Sequence, residues 1–383
     1  MKFFHLSDLH IGLKLLGHDL LEDQKYILDE IIELAKEHHP DAIVIAGDIY
    51  DRAVPSVEAV KLFDGFLTAL SLALPEAELM MISGNHDSPP RIDMFRSILQ
   101  NHRIHMIGLP PQTEGERIEK VVLRDAFGEV NFYLLPFVKP SMVRAIVGSD
   151  ENGNSFSYDA SVRRLLAREA IDLTARNVLV SHQFYLPAGM TGEEVERMDS
   201  EIRTVGNIDA IGADAIVCFD YAALGHIHKP MKVGSETLRY CGTPLACSVS
   251  EAGQEKGVIL VELQNKGEVS TTVLPLKPLR EVRVLSGDLV DVLREACDDY
   301  VRVELTDTTE LDVVDTQDRL RNAFPHLLEV RRRYLRTVNY SAAYSLDDQK
   351  SPEDLCREYL GDLDEEELAE LRDVINTVME GMK

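Results

Sequence analysis

Seven side chains spread over the first 228 positions carry lone pairs suited to divalent cations: Asp8, His10, Asp48, Asn85, His182, His226 and His228. They fall in five short motifs, Asp8-Leu9-His10, Gly47-Asp48-Ile49-Tyr50-Asp51, Gly84-Asn85-His86-Asp87, Ser181-His182 and Gly225-His226-Ile227-His228. Two carboxylates, one amide oxygen and four imidazoles are too many for one ion. Shared between two ions, with one carboxylate bridging, they leave positions for water and substrate oxygens at the ~3.5–4 Å separation of two-metal hydrolysis. Asp48 is the expected bridge. The set lacks thiolate and mixes oxygen with imidazole, which suits Mn²⁺ or Fe²⁺ better than structural zinc, while so many imidazoles disfavour Mg²⁺ and Ca²⁺. Manganese is the first expectation. In the triplet Asn85-His86-Asp87, Asn85 is expected on a metal, His86 at the substrate as proton donor or charge stabiliser, and Asp87 behind His86, holding its tautomer.

Such scattered residues need a scaffold that brings them together. The first half alternates β-branched apolar runs with amphipathic helical ones, which predicts strands at Lys2 to Ser7, Ala42 to Ala46, Leu79 to Ser83, Asn131 to Leu135, Asn177 to Ser181 and Ala215 to Phe219. Helices are predicted at Leu20 to His38, Val57 to Ala73 and Ser161 to Ala175. The fold class is therefore α/β, a layered sheet with helices outside, and each motif follows a predicted strand, where loops at carboxyl ends face a common crevice. Alternate side chains of an extended segment point the same way, so Asp-x-His and His-x-His can address one site. Glycines at positions 12, 47, 84 and 225 permit close backbone approach there.

From Thr237 to Leu274 the pattern shifts to short strands, Gly257 to Leu263 and Val269 to Leu274, and Pro275 to Pro278 punctuates. A small α+β unit follows, with strands Glu281 to Leu285 and Val301 to Leu305 and helices at Leu289 to Cys297 and Thr316 to Ala323. Two amphipathic helices close the chain, one with Leu355, Tyr359 and Leu360, the other with Leu368, Leu371, Val374, Ile375 and Val378. The expected organisation is a catalytic domain over 1–277, an α+β cap over 278–340 and a helical segment over 341–383.

No apolar run reaches the ~20 residues that cross a bilayer, and no basic-then-apolar leader opens the chain, so a cytoplasmic protein without a membrane partner is expected. Five scattered cysteines without a C-x-x-C pair fit reduced thiols. A formal net charge of -26 argues against a chain that grips nucleic acid unaided, since that requires basic surface. A partner or a local groove would supply the positive charge.

Together the five motifs resemble the calcineurin-like metallophosphoesterases. The full length is similar to the nuclease branch found in bacterial SbcCD complexes and in Mre/Rad-type break repair, carried by Ser7-Asp8-Leu9-His10-Ile11-Gly12 at the start and Tyr240-Cys241-Gly242-Thr243-Pro244 before the cap. The resemblance implies a metallophosphoesterase β-sandwich flanked by helices. It assigns Asp8, His10, Asp48 and His228 to one metal and Asp48, Asn85, His182 and His226 to the other, with His86 catalytic. It further implies DNA as substrate, double-strand 3′ to 5′ exonuclease and single-strand endonuclease activities, processing of ends and hairpins, and a homodimer within a heterotetramer with an SbcC-like coiled-coil ATPase. No G-x-x-x-x-G-K-[ST] loop occurs, so ATP dependence would belong to that subunit. The terminal helices would then dock on the ATPase coiled coil. Some relatives carry histidine where Asp51 stands, which leaves the role of that position open.

Each motif alone is weak: Asp8-Leu9-His10 is equally a strand end with a capping aspartate. Five in order, each after a strand, are not. His5, His18, His38, His39, His102, His105 and His326 join no motif and are expected to be packing or surface residues, and Cys241 and Cys247 buried small hydrophobes. Arg331-Arg332-Arg333 and Arg336 read as a solvated face before a phosphate contact. The rival functions are a metallophosphoesterase acting on a small phosphate ester or cyclic nucleotide, which would share all five motifs, and a scaffold with a structural metal site.

Overall fold

In the computed structural model, residues 1–187, 189–190, 198–201, 209–307 and 312–332 are described, with scattered positions between 356 and 375. The chain divides into two units, Met1–Arg333 and Tyr334–Lys383. Strand β1 (Lys2–Leu6) pairs in parallel with Ala42–Ala46, and that strand with Glu78–Ile82. Side chains on these strands segregate by the period of two. Phe3, Val44, Met80 and Ile82 enter one apolar cluster, whereas Phe4, Leu6, Ile43, Ile45, Leu79 and Met81 enter another.

The second of those clusters is covered by helices α1 (Leu21–His38) and α2 (Val57–Ala73), whose Ile27, Ile31, Phe63 and Phe66 lie in it. The first is shared with a second six-stranded sheet, through Phe132, Leu134, Val178, Val180, Tyr221 and Ala223. Val162 and Leu165 of helix Tyr158–Ala167 cover that sheet's far face. The result is helices, sheet, sheet, helices, with four parallel strands, Gly128–Leu135, Arg176–His182, Tyr221–Gly225 and Leu238–Tyr240, inside the antiparallel edges of the second sheet.

One strand expected from sequence is displaced. Ala215 to Phe219, expected as a strand, begins inside a 3₁₀ turn (Ala213–Ile216), and the strand is Tyr221–Gly225. The anchor is Asp220: its backbone N–H donates to Asn177 O at 2.8 Å, and its carboxylate accepts from Asn177 N at 2.7 Å. Pairing therefore starts after Asp220, a tertiary choice that an apolar run cannot express.

The first unit also holds a three-stranded parallel sheet, Val282–Gly287, Tyr300–Leu305 and His326–Arg332, packed on helix Val313–Ala323. The last of these strands is absent from the sequence expectation; it carries the Arg331 and Arg332 of the basic run, both exposed, with Arg331 paired to Glu329. Arg333 and Arg336 lie outside the described residues. This small sheet is latched to α1: buried Asp23 accepts from Tyr300 Oη at 2.8 Å and from Arg280 Nη1 at 3.1 Å. In the second unit the described positions, Cys356, Glu367, Leu368, Leu371, Arg372, Val374 and Ile375, are helical. The remaining residues of the two expected tail helices lie outside the described set. Among the described residues no helix is long and apolar enough to cross a membrane.

Candidate metal centre

All seven candidate donors stand at the carboxyl ends of strands in the two stacked sheets. Asp8 and His10 follow β1, Asp48 follows Ala42–Ala46, Asn85 follows Glu78–Ile82, His182 ends Arg176–His182, and His226 and His228 follow Tyr221–Gly225. Backbones there turn sharply. Asp8, His10, Asp48 and His226 all have positive φ, at 53°, 42°, 49° and 103°, conformations that cost energy in L-residues and persist where surroundings enforce them. Crowding explains the neighbouring glycine at 84, because a Cβ there would meet Asp48 Oδ1 at 2.1 Å.

The donors form one connected chain. His228 Nε2 lies 3.1 Å from His10 Nε2, and His10 Nε2 is 3.7 Å from Asp48 Oδ2. The same Asp48 oxygen is 3.3 Å from His182 Nε2, which is 3.0 Å from Asn85 Oδ1. Asn85 Oδ1 in turn is 2.8 Å from His226 Nδ1. Asp8 joins both ends: one atom each from Asp8, His10 and His228, and one each from Asp8, Asp48 and His182, lie within 4.8 Å of one another. Its carboxylate also accepts from His226 N at 3.1 Å and from Ser7 Oγ. All the histidines and carboxylates among the seven are buried.

The electrostatics suit cations. Burial acts to raise Asp48, but His182, with His10 and His86, outweighs it and holds the carboxyl below the ordinary carboxylate range. Burial acts to lower His182, and Asp48 reverses this, lifting the ring to about 9. A proton is thus strongly held between two groups that would both be ligands to a metal, and a divalent cation there would take that proton's place. Asp8 is pushed up by burial and His10 well down. His10 Nδ1 is buried without a hydrogen-bond partner. The residues present therefore fit a dinuclear site in donor type, proximity and charge.

His86 sits at the rim, its ring edge-on to His10 with centroids 4.8 Å apart. Its backbone N–H donates to Asp48 Oδ1 at 2.8 Å. The expectation for Asp87 needs correction. The acceptor at His86 Nδ1 is the Asp51 backbone carbonyl, at 2.9 Å. Asp87 instead receives three backbone N–H groups, from Gly84 at 2.9 Å, Ile49 at 3.1 Å and Tyr50 at 2.9 Å. It braces two motif loops against each other, a task that follows from loops adjacent in space and leaves no mark in the spacing. Because the contact at position 51 is through the main chain, it does not depend on which side chain stands there.

Several residues around the centre are not legible in the sequence. Phe137 stacks on His226 with an 18° interplanar angle and meets His182 edge-on. Ser200, Glu201, Glu251 and Lys256 surround His228. None lies in a motif, and only folding brings them to it. Cys241 and Cys247 are buried, with thiols pushed up by burial, Cys241 against Ser7 Oγ at 3.0 Å. Of the histidines outside the motifs, His5 is an interior packing residue as expected, bonded to Tyr221 Oη at 3.0 Å and Leu224 O at 3.1 Å. His18 and His326 lie with Tyr300 where the small sheet meets the core.

Known proteins bear on this arrangement. Residues 1–230 match the calcineurin-like phosphoesterase family, and residues 276–372 match the type 5 capsule protein repressor C-terminal domain. The SbcD nuclease component of the SbcCD complex of Staphylococcus epidermidis is 31% identical over 336 residues, covering 86% of this chain and 84% of its own. Among solved structures, one from Thermus thermophilus covers 71% of this chain and 98% of its own at 13% identity, with a TM-score of 0.41. A dimetal phosphatase from Danio rerio covers 71% and 98% at 11% identity, with a TM-score of 0.37. At that level of likeness neither structure bears on activity. The matches over the catalytic half and over most of the length agree: the chain belongs to the calcineurin-like phosphoesterases, in the branch of the SbcD nucleases, and is a metal-dependent phosphodiester hydrolase of the nuclease kind.

Proposed function

We propose that the chain cleaves DNA with two divalent cations, manganese before iron, the first on Asp8, His10, Asp48 and His228 and the second on Asp48, Asn85, His182 and His226. The observation that carries this is the unbroken run of contacts from His228 to His226, with one Asp48 oxygen between His10 and His182. When bound, the cations supply charge neutralisation at the phosphoryl oxygens and activation of a water for in-line attack. The protein's own groups do the rest. His86 Nδ1 donates to the Asp51 carbonyl, so the proton it delivers to the departing oxygen leaves from Nε2 of the imidazolium. Asp87 keeps His86 and Asp48 in register by tying their loops together.

The wider reading follows the SbcCD relative. The partner is an SbcC-like coiled-coil ATPase engaged by the terminal helical segment, two copies of each subunit assemble, and ATP governs double-strand 3′ to 5′ exonuclease and single-strand endonuclease activity on ends and hairpins. The acidic balance supports dependence on the partner for DNA grip. The domain reading of 1–277, 278–340 and 341–383 is part of this proposal.

The test is degradation of an end-labelled linear duplex with Mn²⁺, comparing wild type, His86→Ala and a chelator control. Shortening that needs Mn²⁺ and falls about 10²-fold to 10⁴-fold in His86→Ala supports the assignment. Unchanged cleavage in His86→Ala removes it. Turnover of a chromogenic phosphate ester without any DNA cleavage, alone or with the ATPase, would move the substrate to small esters.

A further inference from the structure

His228 is fixed at three points. Its backbone N–H donates to Glu201 Oε1 at 2.9 Å, and its carbonyl accepts from Lys256 Nζ at 3.1 Å and Thr243 N at 3.2 Å. Its ring Nδ1 lies 2.7 Å from Ser200 Oγ, which lies 2.9 Å from Glu251 Oε1. Glu251 is 1% exposed and ringed by donors: Ser248 Oγ at 3.0 Å, Thr243 Oγ1 at 2.8 Å and Lys256 Nζ at 2.7 Å.

This geometry sets the direction of the protons around Glu251. Four donors, from Ser200, Ser248, Thr243 and Lys256, converge on the two oxygens of Glu251, so this carboxylate only accepts. Ser200 has one hydroxyl proton, and it goes to Glu251. The serine oxygen then has only lone pairs for His228, so Nδ1 carries a ring proton, and in the neutral ring Nε2 keeps its lone pair. That Nε2 faces His10 and shares a cluster with Asp8.

We infer that Ser200 and Glu251, backed by Lys256, form a relay that locks His228 in the Nδ1–H tautomer and so readies its Nε2 for a divalent cation. Both are positioning residues: neither is among the seven donors, and both act through His228. Histidine ligands generally need such an outer partner, and losing it weakens metal binding. The inference rests on the ligand role proposed for His228.

The test uses the full chain labelled with ¹⁵N-histidine, free of metal, with the His228 signals identified by their loss in His228→Gln. At a pH where the ring is neutral, wild type should show a protonated Nδ1 and a bare Nε2, Ser200→Ala a mixture of tautomers, and Ser200→Thr, which keeps the hydroxyl, the wild-type pattern. Mn²⁺ affinity by calorimetry should fall about tenfold to a hundredfold in Ser200→Ala and Glu251→Gln, and recover in Ser200→Thr. Thermal melts identify variants that are folded. If Glu251→Gln does not fold, half-buried Ser200 decides the matter. A neutral wild-type ring protonated at Nε2, or unchanged Mn²⁺ affinity in folded Ser200→Ala, overturns the relay. Wild type that binds no Mn²⁺ overturns the ligand role instead, and the tautomer signals then judge the relay separately.

Discussion

Two substitutions at Asp87 distinguish a brace from a catalytic charge. Alanine orphans the N–H groups of Gly84, Ile49 and Tyr50, at about 1–3 kcal/mol each, or about 6 kcal/mol together. It also relieves a buried charge. Burial, then the Asp48 carboxylate, push Asp87 up to about 6 from 3.8 against the pull of its three amides, which corresponds to about 3 kcal/mol of strain in the ionised form. The balance for Asp87→Ala is a loss of about 3 kcal/mol, or roughly 6 °C in melting temperature. Asparagine keeps one oxygen for Gly84 and Ile49 and turns an N–H₂ toward Tyr50, losing about 2–3 kcal/mol while gaining a similar relief. Asp87→Asn should therefore melt close to wild type. The assays are thermal melts in chelator and Mn²⁺-dependent cleavage of an end-labelled duplex. A brace predicts that Asp87→Asn keeps activity within about tenfold and that Asp87→Ala loses far more. Asp87→Asn that melts like wild type but is as inactive as His86→Ala would refute the brace and restore a role for the charge at His86.

Other outcomes follow from the same structure. Burial lowers His5 from 6.5 to about 3; the unfolded chain therefore takes up the proton first, and stability present above pH 6.5 declines as pH falls toward 3, by about 2 kcal/mol at pH 5. Urea melts at pH 6.5 and 5 should show this decline reduced in His5→Gln, whose amide can replace both bonds; an equal decline would place the acid sensitivity elsewhere. Tyr300→Phe removes the hydroxyl bonded to Asp23, at about 1.5–3 kcal/mol for a bond to a charged group. Hydrogen exchange should quicken in strand Tyr300–Leu305 and leave β1 protected, and uniform change would show that the small sheet does not open by itself. With Mn²⁺ at about 100 times its dissociation constant, each site adds about 2.7 kcal/mol to the folded state. Chelation should accordingly lower the melting temperature, and an unchanged melt would contradict a dinuclear centre in this pit.

Much of the fold was legible because local pattern and tertiary role coincide. Phe3, Phe4 and Leu6, or Ile43, Val44 and Ile45, are strand formers on both faces, as strands buried between a helix layer and a second sheet must be. The segment Ala215 to Phe219 is equally apolar, yet register set by Asp220 and Asn177 moved the strand to Tyr221–Gly225. The third strand of the small sheet, His326–Arg332, was hidden by its half-exposed, charge-rich alternation.

The same division holds at the site. Donor chemistry is a property of side chains, so Asp8, His10, Asp48, Asn85, His182, His226 and His228 could be selected by type and by their place after strands. Their convergence, shown by contacts spanning up to 218 residues of sequence, agrees with that selection, because strand order alone determines which loops share an edge. What surrounds the donors was decided only by the tertiary structure. Asp87 lies beside His86 in sequence but turns to three backbone amides, and Ser200, Glu251 and Lys256 reach His228 from separate segments. Hydrogen-bond direction depends on angles and distances across the fold, and residue type and spacing contain neither.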